Sequence, residues 1–294
     1  MKKVLITGAN SYIGTSVEKY ITAHYPDECE FTTLDTFGGE WLEKSFADYD
    51  VVFHVAGIAH QKEKKCNKDD YYKINRDLAF DVAKKAKDSG IKQFIFLSSM
   101  SVYGKLQGKI TQDTALLPNT NYGKSKMLAE NDILTLNDNC FKVCILRPPM
   151  VYGHACKGNY QTLRKLALKF KIFPYVKNER SMLYIDNLCE FIRLAILNEE
   201  SGIFFPQNCE YTNTSEMVKM IAAAHGRKIY LIRGFGWMIK FLSLFTKLAK
   251  KAFGSLTYDK EMSKIGFSYS KTSLYESIMS IEHNESVVHE KSNV

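Results

Sequence analysis

Apolar runs alternate with amphipathic segments along the first half of the chain. The apolar runs, which read as strands, begin near Lys3, Phe31, Val51, Gln93 and Lys142. Helical spacing of apolar positions covers residues 12–24, 71–89 and 121–137. Strands that alternate with helices in this way are typical of parallel βαβ units, whose crossovers are right-handed. The pattern therefore predicts an α/β fold with a doubly wound parallel sheet.

The first apolar run ends at a glycine turn that suits a dinucleotide. The run breaks at Gly8, and an amphipathic pattern resumes at Tyr12 and Ile13, which predicts a strand, a tight turn and a helix. Glycines allow close approach of the backbone to a pyrophosphate, and free N–H groups at the helix start face the anion. Ser11 replaces the middle glycine of the usual three, so Gly8 and Gly14 alone make a weak motif.

Asp35 strengthens this interpretation and indicates which dinucleotide binds. It follows the second apolar run, residues 31–34, where a carboxylate can accept hydrogen bonds from both ribose hydroxyls of NAD. The same carboxylate would repel the additional phosphate of NADP. The sequence therefore favours NAD over NADP.

Tyr122 and Lys126 are four residues apart in a segment that is predicted to be helical, so they share one face. An ammonium near a phenol favours the phenolate and lowers a pKa that is about 10 when unperturbed. Tyr122 could then accept a proton from a substrate hydroxyl, while the dinucleotide takes the hydride.

A third element is the apolar run 94–97, which ends in the hydroxyl residues Ser98, Ser99 and Ser101. Such a strand places hydroxyl groups at the carboxyl edge of a parallel sheet, where open α/β folds bind ligands. The three elements together predict a redox site that acts on an alcohol.

With these elements the chain resembles the extended short-chain dehydrogenase/reductases, and among them the NAD-dependent nucleotide-sugar epimerases and dehydratases, of the UDP-glucose 4-epimerase type. Further matches occur in the order of the family at residues 50–57, 72–75, 146–153 and 180–187. The resemblance extends from Lys3 to about Ile278, which is nearly the whole chain.

The resemblance implies a role for each catalytic residue. Ser99 would hydrogen-bond the reacting oxygen, since Ser98 lies one place too early, and Tyr122 would be the acid/base. Lys126 would hold the nicotinamide ribose and tune Tyr122. The cofactor contacts that it implies are Gly8, Ser11, Tyr12, Ile13, Gly14, Asp35, Ala56, Asn75, Tyr122, Lys126 and Pro148.

Two cofactor contacts have open alternatives. Asn75 could instead be a helix-capping or core asparagine. The acidic adenine contact of the family is hard to place, because only fifteen residues separate Asp35 from Val51; Glu40 beside Trp41 is its substitute here.

The expected substrate contacts are fewer. By resemblance, Arg180 pairs with the diphosphate of a nucleotide sugar, and the segment containing Lys157 and Asn159 lies along it; Arg suits bidentate pairing with phosphate. A surface ion pair is the alternative for Arg180. His60 falls in a loop that would roof the sugar, or it is an ordinary loop residue.

The resemblance also restricts the reaction. Dehydratases of the family carry Asp and Glu after the catalytic hydroxyl, where this chain has Met100 and Ser101. Enzymes that epimerise carbons 3 and 5 usually have a Cys at the position of Ser101. Inversion of carbon 4 through a transient 4-keto sugar remains as the expected reaction. Its substrate would be a UDP-hexose or UDP-N-acetylhexosamine, and its setting would be cell-surface polysaccharide synthesis.

A 4-keto-sugar reductase using NAD(P)H is the alternative, and a catalytically silent NAD-binding scaffold is a third class.

Composition agrees with an ordinary enzyme. The 294 residues are 45% hydrophobic, enough for a large core, and the net charge of +8 suits anionic small molecules. No nucleic-acid module stands out. Seven cysteines without CxxC pairs or His-rich partners indicate reduced thiols and no metal site. No signal peptide or spanning segment is recognised, so a cytoplasmic location is expected.

The expected domain organisation has two interleaved parts. Residues 1–153 form an NAD-binding Rossmann domain, to which 183–207 return. Residues 154–182 and 208–280 form a smaller C-terminal substrate-binding part, and 281–294 form a flexible tail.

Two contacts with larger partners are also expected. Relatives form dimers through the helix that carries the Tyr122–Lys126 pair, which implies a homodimer. Residues 235–253 combine an aromatic helix face with a lysine face, a pattern that suits an anionic membrane and a lipid-diphosphate-linked sugar. An amphipathic helix packed on the small domain is the alternative.

Overall fold

A computed structural model describes residues 1–58, 68–234 and 253–291. Its strands are β1 (Lys2–Thr7), β2 (Cys29–Leu34), β3 (Val51–His54), β4 (Gln93–Leu97), β5 (Gly108–Ile110), β6 (Lys142–Leu146), β7 (Met150–Tyr152), β8 (Ile172–Pro174), β9 (Met182–Tyr184), β10 (Gly202–Phe204), β11 (Tyr230–Ile232) and β12 (Leu256–Tyr258). Its α-helices are α1 (Tyr12–His24), α2 (Lys68–Tyr72), α3 (Leu78–Asp88), α4 (Asn121–Leu134), α5 (Asn159–Lys169), α6 (Ile185–Leu197), α7 (Thr214–Ala224) and α8 (Leu274–Lys291).

A six-stranded parallel sheet in the order β10-β6-β4-β3-β1-β2 forms the centre of the molecule. The strand order reverses beside β1, as it does in doubly wound sheets. Every residue of β3 is buried, as is each of the last four residues of β1, because helices cover both faces of the sheet. The predicted α/β fold with a parallel Rossmann sheet is therefore confirmed.

Successive residues of the strands pack on opposite sides. Val4 and Phe53 face a core that includes residues of α1 and α6, whereas Leu5 and Val52 face one that includes α3 and α4. This alternation is the two-residue period of a β-strand. The sheet thereby fixes α4, the helix of the predicted proton-transfer pair, against β4 and β6.

The remaining strands form small two-stranded parallel sheets outside the central one. β7 pairs with β9, β8 with β11, and β5 with β12. β10 pairs with β6 in the central sheet, and α6 packs on α1, so residues 185–204 adjoin the first part of the chain. The division into two functional domains stays a prediction.

The first two residues of the expected flexible tail are buried. Helix α8 runs to Lys291, and Ile281 and Glu282 are buried. Glu282 accepts hydrogen bonds from Tyr160 and Arg164 at 2.6 Å, and its carboxylate is 2.7 Å from Nε2 of His225. Residues 281 and 282 therefore belong to the packed part of the chain, and the flexible tail over 281–294 stays a prediction.

Two segments with sequence-based hypotheses lie outside the described residues. They are 59–67, which contains His60, and 235–252, which contains nearly all of the proposed membrane helix. Within the described residues, no helix is long and apolar enough to cross a membrane. The same residues contain no cluster of three or more His, Cys, Asp or Glu side chains that could hold a metal ion.

Candidate active site

The glycine turn after β1 leaves no room for side chains. Gly8 has φ +116°, and a Cβ atom on it would lie 2.6 Å from the backbone nitrogen of Ala56. A Cβ on Gly14 would lie 2.5 Å from Oγ of Ser11. Ser11 is the N-cap of α1, and its Oγ accepts a hydrogen bond from the Gly14 N–H at 3.2 Å. The turn is thus a close-packed backbone cradle at a helix N-terminus, which fits a dinucleotide pyrophosphate.

Tyr12 and Ile13 direct their side chains toward the interior. The Tyr12 hydroxyl is buried without a hydrogen-bond partner among the described residues, and burial raises its pKa. A Cβ on Gly153 would lie 2.6 Å from this hydroxyl, and Ile13 packs against the core. Any cofactor contact of Tyr12 and Ile13 would therefore be made by their backbone N–H groups.

Asp35 lies at the carboxyl end of β2, as the sequence indicated, and it is exposed. Its Oδ1 accepts a hydrogen bond from the Phe37 N–H at 2.9 Å, which fixes the carboxylate in a turn. Glu40 is exposed at the start of a 3₁₀ helix, Glu40–Glu43, in which Trp41 is buried. Both carboxylates lie after the second strand, and their ribose and adenine contacts stay predictions.

The two adjacent serines after β4 have different environments. Ser98 is buried and donates its hydroxyl hydrogen bond to the carboxylate of Glu130. Ser99 is half-buried, caps the 3₁₀ helix Met100–Tyr103 and hydrogen-bonds the side chain of Tyr122. Ser99, and not Ser98, is thus the serine that contacts the tyrosine, and its catalytic role stays a prediction.

Tyr122 lies in the first turn of α4, which Thr120 caps through a 3.0 Å hydrogen bond from the Gly123 N–H. Burial raises the pKa of Tyr122, and the hydrogen bond with Ser99 only partly opposes this rise. The net direction is opposite to the expected lowering by Lys126. The structure gives a reason, since the ammonium of Lys126 is directed elsewhere.

Lys126 is almost completely buried at the sheet edge. Its Nζ donates a hydrogen bond to the Leu97 carbonyl at 2.8 Å and lies 4.5 Å from the ring centroid of Phe96. Burial lowers the pKa of Lys126 to about 8, while the negative charge of Glu130 acts to raise it. The ammonium is therefore fixed by β4 and retains a neighbouring counter-charge.

Asn75 is fully buried on a π-helical turn, Lys73–Asp77. Its Oδ1 accepts from the Ile58 N–H at 2.8 Å, and its Nδ2 donates to the Ile58 carbonyl and to Oγ of Ser125, each at 3.1 Å. These bonds fit the alternative of a core asparagine, which ties the loop after β3 to α4. A direct cofactor contact of Asn75 stays a prediction.

Ala56 and Pro148 lie at the carboxyl ends of neighbouring parts of the sheet. The Ala56 N–H donates to the Thr7 carbonyl at 2.9 Å, which brings the loop after β3 against the glycine turn. Pro148 is buried after β6, and its carbonyl accepts from the Met100 N–H at 2.9 Å. The structure thus gathers the expected cofactor residues along one edge, from β2 to β6.

The expected substrate residues are less constrained. Lys157 and Asn159 are exposed at the start of α5. Arg180 is half-buried, and its Nη1 donates to the Gly254 carbonyl at 2.8 Å. Burial lowers the pKa of Arg180, and no carboxylate of residues 1–58, 68–234 or 253–291 pairs with it. The alternative of a surface ion pair is therefore not favoured among these residues, whereas an anionic ligand suits this desolvated guanidinium.

A buried ion pair next to the candidate catalytic residues was missed by sequence reasoning. Glu130 receives hydrogen bonds from Arg147 Nε at 3.0 and 3.1 Å and from Nη2 at 2.6 Å. Arg147 Nη1 also donates to the hydroxyl of Tyr103 at 3.0 Å. Glu130 lies four residues after Lys126, and this spacing was the signal that could have revealed it.

Comparison with known proteins identifies the family of the chain. Residues 4–204 match the NAD dependent epimerase/dehydratase family, and the chain belongs to this family. It is 29% identical over 279 residues to the UDP-glucose 4-epimerase of Vibrio cholerae, a match that covers 85% of this chain and 83% of that protein. The predicted family, the enzyme class and the NAD dependence are confirmed.

Other similar proteins differ in substrate. An Escherichia coli O157:H7 relative, N-acetyl-alpha-D-glucosaminyl-diphospho-ditrans,octacis-undecaprenol 4-epimerase, is 28% identical over 218 residues, which cover 68% of this chain and 64% of that protein. The crystal structure of UDP-glucuronic acid 4-epimerase from Bacillus cereus superposes with a TM-score of 0.74 at 18% identity, covering 98% of this chain and 99% of that one. The structural likeness shows the shared fold.

Proposed function

We propose that this protein is an NAD-dependent 4-epimerase of a nucleotide sugar, a UDP-hexose or UDP-N-acetylhexosamine. The observation that carries the proposal is the hydrogen bond between Ser99 and Tyr122, beside a buried Lys126 at the carboxyl edge of β4. The relative from Vibrio cholerae, named a UDP-glucose 4-epimerase, supports it.

The cofactor would lie along the sheet edge. Gly8, Ser11 and Gly14 would hold the pyrophosphate at the start of α1, and Asp35 would accept hydrogen bonds from the adenosine ribose. When bound, NAD supplies the acceptor and donor of the hydride. The tight contact between Gly8 and Ala56 is the observation of this structure that fits such a group.

The catalytic residues would manage the proton at the substrate oxygen. Tyr122 removes the proton of the hydroxyl on carbon 4 and returns it after the 4-keto sugar has turned over. Ser99 hydrogen-bonds the same oxygen and orients Tyr122. Lys126, whose ammonium donates to the Leu97 carbonyl, would hold the nicotinamide ribose from this fixed position.

Met100 and Ser101 favour epimerisation over elimination. They occupy the first turn of the 3₁₀ helix after Ser99, and neither can transfer protons as a carboxyl pair would. The 4-keto-sugar reductase remains the competing activity, because it would use the same Ser99, Tyr122 and Lys126.

A lipid-diphosphate-linked sugar is the second candidate substrate. The Escherichia coli relative acts, by its name, on a sugar that is joined through a diphosphate to undecaprenol. Arg180 would recognise the diphosphate in either carrier. A role in cell-surface polysaccharide synthesis is supported by a further relative, a spore coat polysaccharide biosynthesis protein of Bacillus subtilis that is 28% identical over 233 residues.

The test is an incubation with UDP-glucose, UDP-galactose and their N-acetylated forms without added reductant. An epimerase equilibrates the two 4-epimers, and Tyr122→Phe is expected to lower kcat by about 10²- to 10⁴-fold because the proton carrier is lost. The exposed Tyr275→Phe is the matched control. No interconversion of these sugars, together with NAD(P)H-dependent reduction of a 4-keto nucleotide sugar supplied as substrate, would instead identify a reductase.

A homodimer through α4 and a cytoplasmic location also belong to this proposal. An open groove of about 410 Å³ lies beside α4 and is lined mainly by apolar residues, among them Leu117, Met127 and Leu128. Light scattering should give twice the 33.6 kDa chain mass, and Leu117→Asp with Leu128→Asp should give a monomer. A monomeric parent protein would refute the dimer.

A further inference from the structure

The small sheet of β8 and β11 has an apolar outer face. Ile172 is paired with Tyr230 in the parallel register, and Ile232 is two residues further along β11, so the three side chains share one side. They are 57%, 65% and 37% exposed, respectively. We call this surface the β8–β11 face.

The other side of the same sheet packs inward. Phe173 is buried and Leu231 packs against the same core, and these two residues are paired in the register. The strand pair that carries the exposed residues is therefore held in place by core packing on its inner side. Phe170, also exposed, adjoins the face at the end of α5.

Basic residues flank β8 and β11 in the sequence. Lys169, Lys171, Arg227, Lys228 and Arg233 are all exposed. None of them forms an ion pair with a carboxylate in the described part of the chain. The face therefore combines exposed apolar groups with uncompensated positive charge.

The two sequence segments that supply β8 and β11 are long and contain no acidic residue. Residues 139–178 and 217–258 contain sixteen Lys and Arg but no Asp or Glu. The other residues hold 24 of the 40 Lys and Arg and all 32 Asp and Glu, which is a net charge of −8. β8 and β11 come from these two segments, so folding joins the two acid-free parts of an otherwise acidic chain.

We infer that the β8–β11 face docks on the surface of an anionic phospholipid bilayer. Exposed aromatic and aliphatic side chains on strands that are flanked by lysine and arginine suit the boundary between lipid headgroups and acyl chains. A nucleic acid would match the charge but leaves Ile172 and Ile232 without a suitable partner. A surface made only for solubility would not expose these apolar residues together.

The face is connected to the predicted diphosphate site. On the inner side of β8, the ring of Phe173 lies 6.0 Å from that of Phe253. The next residue, Gly254, accepts the hydrogen bond from Arg180. Docking would therefore bring Arg180 close to a diphosphate that is anchored in the bilayer; this last step rests on the proposed function, whereas the docking itself does not.

The test is flotation of the full chain with vesicles of phosphatidylglycerol and phosphatidylcholine, compared with phosphatidylcholine alone. Binding is expected only to the anionic vesicles and should decrease at high salt. Lys171→Glu with Lys228→Glu should weaken binding at least about tenfold, given the contribution of each basic residue near such a surface. Lys44→Glu with Lys92→Glu, exposed and remote in sequence, changes the net charge equally and should have a smaller effect.

Two substitutions of Tyr230 test the contribution of an aromatic ring to binding. Tyr230→Ser should weaken binding more than Tyr230→Phe, since the ring enters the headgroup region. Failure of the parent protein to float, equal losses in both charge pairs, or self-association through the face without flotation would each overturn the inference. Turnover of a soluble UDP-sugar should be unchanged in the Lys171→Glu/Lys228→Glu variant. Flotation without any turnover would refute the proposed function and leave the docking surface intact.

Discussion

The two sides of the candidate active site differ in how much of their polar chemistry is already satisfied within the chain. On the side of the sheet, Tyr122, Lys126 and Asn75 each have protein partners and are largely withdrawn from water. On the side of the expected substrate contacts, Lys157 and Asn159 are exposed, and the Arg180 guanidinium donates to one backbone carbonyl among the residues that the structure describes. The comparison indicates a reaction centre whose residues are fixed by folding, which we call the fixed side. The binding region, which a substrate completes, is called the substrate side.

Removal of Glu130 should have the largest effect, because it disrupts the fixed side. Glu130→Ala leaves the Arg147 guanidinium buried without its counter-charge, which should cost about 3–5 kcal/mol of unfolding free energy in urea denaturation. Glu130→Leu with Arg147→Met removes both charges and should recover most of that loss.

The Glu130–Arg147 pair also tests whether Glu130 positions the neighbouring residues of the candidate site. If Glu130 only stabilises the fold, the double variant should also recover kcat. We expect kcat to stay low, because Ser98 loses its acceptor and Lys126 loses its neighbouring negative charge. Full recovery of kcat would remove Glu130 from the description of the site.

Burial of the Lys126 ammonium should make the free energy of unfolding depend on pH. Its pKa is lowered to about 8 in the folded protein, so the unfolded chain binds the proton more strongly. The protonated lysine destabilises the fold below about pH 8, and this penalty is relieved between about pH 8 and pH 10.5, by up to about 3 kcal/mol. The stability advantage of Lys126→Met over the parent should shrink by that amount over this range.

Lys124→Met is the control for this measurement, since Lys124 is exposed on the same helix. Its stability difference from the parent should not follow the same pH course. A difference between Lys126→Met and the parent that is independent of pH would mean that the ammonium is less desolvated than the structure indicates.

Arg180 should affect the substrate side alone. Arg180→Met removes the charged hydrogen-bond donor from the proposed diphosphate site, and KM should rise by about tenfold or more while kcat stays within about twofold. Arg180→Lys should recover only part of the loss because it lacks bidentate geometry. A fall in kcat with KM unchanged would place Arg180 on the fixed side instead.

Lys157 should have the smallest effect. Its side chain is exposed, so Lys157→Met should raise KM by no more than about fivefold, as expected for a solvated charge. The effect should disappear at high ionic strength. A change above about tenfold would indicate that the substrate orders this segment around itself.

The same division explains what could be predicted from the sequence. The central strands could be predicted from the sequence, because a strand that is buried on both faces requires a continuous apolar run, as in β3 and β4. Three-residue strands such as β8 and β11 could not, because their pairing depends on distant segments. Spacing singled out Tyr122 and Lys126 as candidates, and the resemblance singled out Ser99. The direction of the Tyr122 pKa could not be predicted, because burial and the orientation of the lysine are properties of the folded chain.

The carboxylate of Glu282 sets a practical limit on how far this protein can be trimmed. A version of the chain that stops before residue 282 would remove the carboxylate that accepts hydrogen bonds from the mostly buried Arg164 guanidinium and from the Tyr160 hydroxyl. Deletions that are meant to aid crystallisation should therefore spare Glu282, and affinity tags and fusion partners belong beyond it.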